Sequence, residues 1–222
     1  AKYGGNVAMS GSGTSVNVLE ITGGTIKNGK CTNNGGNVYA DLYKQLEITD
    51  VTFEGGKTSS DGGSIYGGPN TVITITDSTF DGGECTGSGG GNIYMAGEVQ
   101  IGENVQILDG VAEAPLKSGG SINVHELGKL YITGGLVSGG TATNLGGVIS
   151  CNGQVFISGG TVSGGTAGSA SSNNIVVLKN ATLTLSGGTV DGAIRQAAGA
   201  NVILKDSPIV TGTGISSADG TL

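Results

Sequence analysis

Apolar and polar residues alternate along this chain in stretches of a few positions, and the stretches recur. The block Val18-Leu19-Glu20-Ile21-Thr22-Gly23-Gly24-Thr25-Ile26 returns as Leu46-Glu47-Ile48-Thr49-Asp50-Val51-Thr52-Phe53. It returns again as Ile73-Thr74-Ile75-Thr76-Asp77-Ser78-Thr79-Phe80. Further copies run from Val99 to Ile107, Leu130 to Val137, Val155 to Val162, Leu183 to Val190 and Val202 to Ile209. With Ile21, Ile48, Ile75, Ile101, Ile132, Ile157, Leu185 and Leu204 as markers, the intervals are 27, 27, 26, 31, 25, 28 and 19 residues. A period of two marks a half-buried strand, and no stretch carries i, i+3, i+4 spacing over a helical length.

A second block precedes most copies: Gly36-Asn37-Val38-Tyr39, Gly63-Ser64-Ile65-Tyr66, Gly91-Asn92-Ile93-Tyr94, Gly120-Ser121-Ile122 and Gly147-Val148-Ile149. A third, after a Gly-Gly pair, reads Lys57-Thr58, Glu84-Cys85, Thr141-Ala142 and Thr166-Ala167. A short strand with one apolar face cannot stand alone, so the repeats must stack. The prediction is an all-β, single-stranded parallel β-helix (β-solenoid) of about eight coils, with three short strands per coil. Coils one strand spacing apart give a rod roughly 40 Å long. Right-handedness is expected by analogy with most three-faced helices of this coil length. Residues 1–222 read as one such domain, a segment of a longer protein, because both ends look cut from patterned sequence.

Three inward columns follow. One is Ile26, Phe53, Phe80, Ile107, Val137, Val162, Val190 and Ile209. The next is Val7, Val38, Ile65, Ile93, Ile122, Ile149 and Ile175. The third is narrow: Cys31, Thr58, Cys85, Ala112, Ala142 and Ala167. Asn6, Asn37, Asn92 and Asn174 share a column, with Ser64 and Ser121 filling two gaps, and stacked amides can bond from coil to coil.

Composition narrows the classes. Gly supplies 46 of the 222 residues, about three times the usual share of about 7%, and Gly allows the positive φ of sharp corners. Only 3 Pro occur, and Gly does not fall at every third position, so collagen is excluded. The chain is 36% hydrophobic and 12% charged, against disorder. No apolar run approaches a membrane span. A net charge of −7 disfavours nucleic acid, whose usual footprint is a basic face. No signal peptide or anchor motif is visible.

Candidate chemistry is sparse. Cys31 and Cys85 fall in one column two coils apart, near 9–10 Å by the strand spacing, beyond disulfide reach. All three Cys are therefore expected as thiols filling the core, with Cys151 in the inward column of Ala40 and Met95. His125 is the only histidine, beside Glu126, and reads as a surface residue. The pairs Asp50/Asp77, Glu54/Asp81 and Glu20/Glu47 stack on adjacent coils without a neighbouring Arg. Repetition of corner residues explains them, with calcium at Asp50/Asp77 an open alternative. No cofactor or metal is expected. Tyr39, Tyr66 and Tyr94 follow inward residues, so they point outward as a three-rung ladder. Exposed rings in a row can bind sugars or a partner protein, or simply stabilise the sheet by stacking. Thr22, Thr49, Thr76 and Thr133 align, as do Thr25, Thr52, Thr79, Thr161 and Thr189, a pattern shared with ice-binding faces. Gly102 and Leu136 interrupt it. Asn180 begins the one Asn-x-Thr sequon. The stretch from Ala112 to Ser118, with Pro115, is the one insertion able to build a groove wall.

The blocks Gly-Gly-Asn-Val-Tyr, Ile-Thr-Asp-Val-Thr-Phe-Glu-Gly-Gly and Ile-Ser-Gly-Gly-Thr-Val-Ser-Gly-Gly-Thr-Ala resemble the β-helix repeats of large surface proteins of gut bacteria. They are more loosely similar to chlamydial polymorphic outer-membrane proteins, although Glu-Gly-Gly and Asp-Gly-Gly follow Phe53 and Phe80 where that family places Asn. The resemblance covers about residues 4–214. It implies an extracellular or cell-surface location and a structural or adhesive role without enzymatic activity, and carries over no catalytic residue. The expected partners are a second copy of the chain, or a glycan or protein of the host or cell surface. Open ends would allow head-to-tail assembly into a fibre. A carbohydrate-binding or polysaccharide-active β-helix is the alternative, ice binding the lesser one.

Overall fold

A computed structural model describes residues 1–11, 14–113 and 118–217. Four parallel sheets form a β-solenoid. Sheet A holds nine strands, from Val7–Met9 to Ile215–Ser217. Sheet B holds eight, from Asn17–Thr22 to Asn201–Leu204, and sheet C eight, from Thr25–Lys27 to Ile209–Thr211. Sheet D holds six, from Lys30–Cys31 to Thr166–Ala167. Eight strands stacked in sheets B and C make seven complete turns. The one helical element among the described residues is a 3-10 turn, Ala170–Ser172. No helix there is long and apolar enough to cross a membrane.

All eight sequence markers pair in register, from Ile21 opposite Ile48 to Leu185 opposite Leu204. The expectation of three strands per coil is corrected to four in most coils. The block read as one segment, such as Leu46 to Phe53, bends through a corner and contributes Lys44–Thr49 to sheet B and Thr52–Glu54 to sheet C. The corner is built by residues that tolerate a left-handed backbone. Asp50 has φ 58° and Asp77 φ 48°, a region that Asp enters at modest cost through its short polar side chain. The last turns drop sheet D: Thr189–Asp191 leads directly to Ile194–Gln196. Losing that side explains the short interval of 19 residues between Leu185 and Leu204.

The core is one continuous apolar column. Phe53 and Phe80 stack inside it, centroids 4.5 Å apart and planes 8° from parallel. The narrow wall of Cys31, Thr58, Cys85, Ala112, Ala142 and Ala167 is in register as expected. None of the three cysteines forms a disulfide. Ile209 is a correction. Val210, not Ile209, faces Val190 across sheet C, and Ile209 is exposed. Leu204 to Val210 spans six positions where Leu185 to Val190 spans five, so the turn carries one extra residue and shifts the pattern by one.

The Asn column is also corrected. These amides brace corners rather than forming a continuous ladder. Asn37 Oδ1 accepts from the Gly29 amide at 2.8 Å, Asn92 Oδ1 from Gly83 at 3.0 Å, and Asn174 Oδ1 from Gly165 at 2.9 Å. Asn92 Nδ2 then donates to the Leu108 carbonyl at 2.7 Å. Each amide thus ties its own strand in sheet A to the turn from sheet C to sheet D. The approach is tight enough that a Cβ at Gly56 would overlap the Gly63 carbonyl oxygen, which is why Gly recurs there.

Candidate functional site

The tyrosine ladder forms, with more rungs and less exposure than expected. Tyr39 and Tyr66 stack with centroids 5.3 Å apart and planes 15° from parallel; Tyr66 and Tyr94 repeat this at 5.3 Å and 3°. Tyr3 extends the column at one end, 4.7 Å from Tyr39. His125 meets Tyr94 at the other, 6.2 Å away and tilted by 50°. The rings do project from the outward side of sheet A, yet Tyr39 and Tyr94 are each only 8% exposed and Tyr66 is half-buried. The expectation of an exposed ladder is therefore corrected. The faces of the rings cover one another.

The cover over the rest of this face comes from the loops that leave sheet D and fold across sheet A. Asn123, next in the outward column, donates through Nδ2 to the Ser88 and Ser118 carbonyls at 3.1 and 3.2 Å. The loop backbone at Gly119 lies against Ser150, and that at Gly146 against Val176. Burial holds the phenol pKa values of Tyr39, Tyr66 and Tyr94 above the ordinary value near 10. Carboxylates add to it: Asp41 beside Tyr39, and Asp61 near Tyr66 and Tyr94.

Along the outward column of sheet A the side chains shrink after the last ring, from Tyr94 to Asn123 to Ser150, before Val176. Where they shrink a cleft of about 440 Å³ opens, walled by Tyr94 and His125 on one side and reaching Leu178, with Glu126 and Asn152 at its rim and Ser150 in its lining. His125, expected on the surface, is half-buried here. Its Nδ1 accepts from the Leu127 amide at 3.4 Å, so the neutral ring carries its proton on Nε2. The Ser150 hydroxyl is fully buried and has no hydrogen-bond partner. It is thus not held by His125 in the contact that activates a nucleophile. The insertion expected to wall a groove falls at 114–117, outside the described residues, while its flanking Ser118 does line this cleft.

Sequence reasoning missed a second aromatic pair. Tyr131 and Phe156 stack on the outward face of sheet B, centroids 4.9 Å apart and planes 10° from parallel, and both are half-buried. The signal was present in the alternating positions Leu130-Tyr131-Ile132 and Val155-Phe156-Ile157, where the polar slot holds a ring.

The carboxylate pairs stack as the repeat requires: Glu20 beside Glu47 and Glu54 beside Asp81. Asp77 Oδ1 accepts from Asn104 Nδ2 at 2.9 Å. Among the described residues no three His, Cys, Asp or Glu side chains come together as a metal site would need. Cys151 lies in the inward column next to Val124, and burial pushes its thiol up to about 12. Asn180 is exposed, with φ 67°. The Thr columns line up over the first coils, where Thr49 and Thr76 hydroxyls bond at 3.2 Å. Gln106 and Leu136 break the row that starts with Thr25, Thr52 and Thr79.

Comparison with known protein families, with characterised proteins and with solved structures finds no match to the chain.

Proposed function

We propose that this chain is a non-enzymatic extracellular rod, a structural and adhesive element of a cell surface that assembles head to tail. The observation that carries this reading is the stacking of parallel strands from coil to coil through all four sheets. On the first strand of sheet B the inward Leu19 and Ile21 are only partly buried, and on the last the inward Leu204 is 52% exposed. Ile26 and Val210, equivalent positions at the two ends of sheet C, are only partly covered. Where such a coil ends the native rod, it would present a strand edge and the ends of apolar columns, and such edges template further pairing. A heterologous contact of this kind propagates into a fibre when it does not close. The stacked sheets also suit a load-bearing spacer, since every turn is hydrogen-bonded to the next. The repeat resemblance to bacterial surface arrays supports the location.

Two alternatives have less support. Sugars stacking on the Tyr39, Tyr66 and Tyr94 ladder would meet rings whose faces are already occupied by one another. Ice binding would need an uninterrupted flat row of Thr.

Electron microscopy of the full-length protein from its source, at near-neutral pH, tests the reading. Filaments are expected, with an axial repeat set by the rod length; the seven turns described span about 34 Å at the usual strand spacing. Discrete single rods in wild-type material would overturn the assembly.

A further inference from the structure

We propose that the corner between sheets A and B is a lateral contact surface for a second copy of this chain, running antiparallel to the first. The surface lies on the flank of the rod and the contact closes at two copies, so it stands or falls independently of head-to-tail assembly.

Turn length makes this corner uneven. With coils numbered from the first strand of sheet B, Asn17–Thr22, the turns entering that sheet alternate in length on coils 3 to 6. Four residues separate Gly67 from Val72, two separate Met95 from Glu98, four separate Val124 from Lys129, and two separate Cys151 from Gln154. Long turns project and short ones leave notches. The notch on coil 4 has a volume of about 470 Å³, with Ala96 and Gly97 at its centre, Pro69 and Val72 toward coil 3, and Leu127 toward coil 5. Leu127, on the projecting coil 5 turn, is 63% exposed, and Val72 is exposed as well.

A two-fold axis perpendicular to the rod, passing between coils 4 and 5, exchanges coil 4 with coil 5 and coil 3 with coil 6. It keeps each column opposite itself, and it sets every long turn against a short one. Leu127 of each copy then enters the coil 4 notch of the other. The Pro69–Asn70 turn meets the second notch, at Asn152 and Gly153. Such an isologous contact is self-complementary and stops at a dimer. Coils 2 and 7, exchanged by the same axis, both carry long turns, Asp41 to Tyr43 and Leu178 to Ala181. The rods therefore cross at an angle, and the contact is confined to coils 3–6, about 19 Å of rod.

Charge follows the same axis. Glu98 on coil 4 and Lys129 on coil 5 are register partners in one outward column of sheet B, and both line the notch. The axis brings each Glu98 opposite the Lys129 of the other copy, so four charges alternate around a square. Complementary charge of this kind fixes register and orientation. Glu98 Oε1 accepts from Gln100 Nε2 at 3.0 Å, and neither Glu98 nor Lys129 forms an ion pair among the described residues. Glu126, also on the coil 5 turn, lines the cleft on the sheet A side instead. A parallel pairing would set long turns against long turns and Glu98 against Glu98.

Sedimentation velocity of the intact chain, from about 5 to 500 µM, tests this, since so small a contact suits a Kd of about 10–100 µM. A monomer–dimer equilibrium is expected. Glu98→Lys, and separately Lys129→Glu, makes all four charges alike and should weaken pairing at least about tenfold. The two substitutions together in one chain restore the alternation and should pair like wild type, a rescue that damage to the fold would not give. Leu127→Ser should also weaken pairing at least about tenfold, because a leucine is withdrawn from each notch. Its side chain is exposed in the single rod, so Tm should stay within about 2 °C. The proposal is overturned if wild type stays monomeric throughout, if the single charge variants and Leu127→Ser pair like wild type, or if the double variant pairs no better than the single ones. Growth beyond two copies that all these variants leave unaltered belongs to the ends of the rod and also overturns the lateral contact.

Discussion

Sheets A and B are built from the same alternation, yet their outward faces have opposite fates. On sheet B the outward column of Glu20, Glu47, Thr74, Gln100, Tyr131, Phe156, Thr184 and Ile203 stays at least partly open to solvent. On sheet A the equivalent column buries Tyr39, Tyr94, Asn123, Ser150 and Val176 and half-buries Tyr66, and it opens to solvent only toward its ends, at Ala8, Arg195 and Ser216. The strands alone do not account for this. The chain leaves sheet B by tight corners such as Asp50 and Asp77, too short to fold back over the sheet. It leaves sheet D by loops that cross sheet A. Alternation decides which way a side chain points, and the length of the next connection decides whether it meets water. The same cover turns a flat aromatic row into a second packed layer, with a cleft where the layer thins.

The sharpest way to break this comparison is a charge placed on each face of one coil. Val176→Asp should cost about 3–5 kcal/mol, as an uncompensated buried charge does, and lower Tm by roughly 10 °C. Thr184→Asp, outward on sheet B, should shift stability by no more than about 0.5 kcal/mol. Thermal unfolding followed by circular dichroism measures both, and equal losses would mean that the face of sheet A is not covered. Next in size is truncation of one ring from each aromatic stack. Tyr94→Ala should cost about 3 kcal/mol, near the range for a buried ring. Phe156→Ala, half in solvent, should cost about half as much, and chemical denaturation would rank them. Removing a corner brace comes third. Asn92→Ala leaves the Gly83 amide without its acceptor and should cost about 1–3 kcal/mol, with increased hydrogen exchange at Gly83 as the local readout.

A fourth prediction uses pH. The phenols of Tyr39, Tyr66 and Tyr94 titrate above their ordinary value in the folded chain. The unfolded chain therefore loses these protons first as pH rises past about 10, and binds fewer protons than the folded chain. Stability is fully present below that pH and falls above it. Alkaline denaturation monitored by tyrosinate absorbance should show a cooperative component that Tyr39→Phe with Tyr94→Phe reduces. An unchanged curve in the double variant would separate the ladder from that transition. The smallest effect concerns Cys151. With its thiol pushed up to about 12 by burial, thiolate is scarce at pH 8 and maleimide should label it only after unfolding. Rapid labelling of the native rod would mean that the coil opens there.

Much of the architecture was legible in the chain itself. The apolar columns of Val38, Ile65, Ile93 and Ile122, and the small wall from Cys31 to Ala167, stand where period-two alternation put them. A strand buried on one face admits only one register without turning its apolar side to water. The four-sided section was partly hidden, because the sheet B and sheet C strands run together in sequence with a corner of one or two residues between them. Ile209 was misplaced for the same kind of reason, one added residue in a turn. The cleft was the least legible part. Its members come from strands and loops on different coils, and no local pattern ties His125 to Ser150.

The sequence by itself determined that the chain coils, which residues face inward, and that the cysteines of the narrow wall lie too far apart to join. Those properties follow from backbone period and strand spacing, which repeat with every turn. Only the tertiary structure decided that the tyrosines are covered, that the asparagines brace corners instead of stacking, and that Ser150 lines a cleft with its hydroxyl unpaired. Each of these depends on where a loop from one coil comes to rest on the strands of another, and that placement is set by packing in three dimensions rather than by any neighbour along the chain.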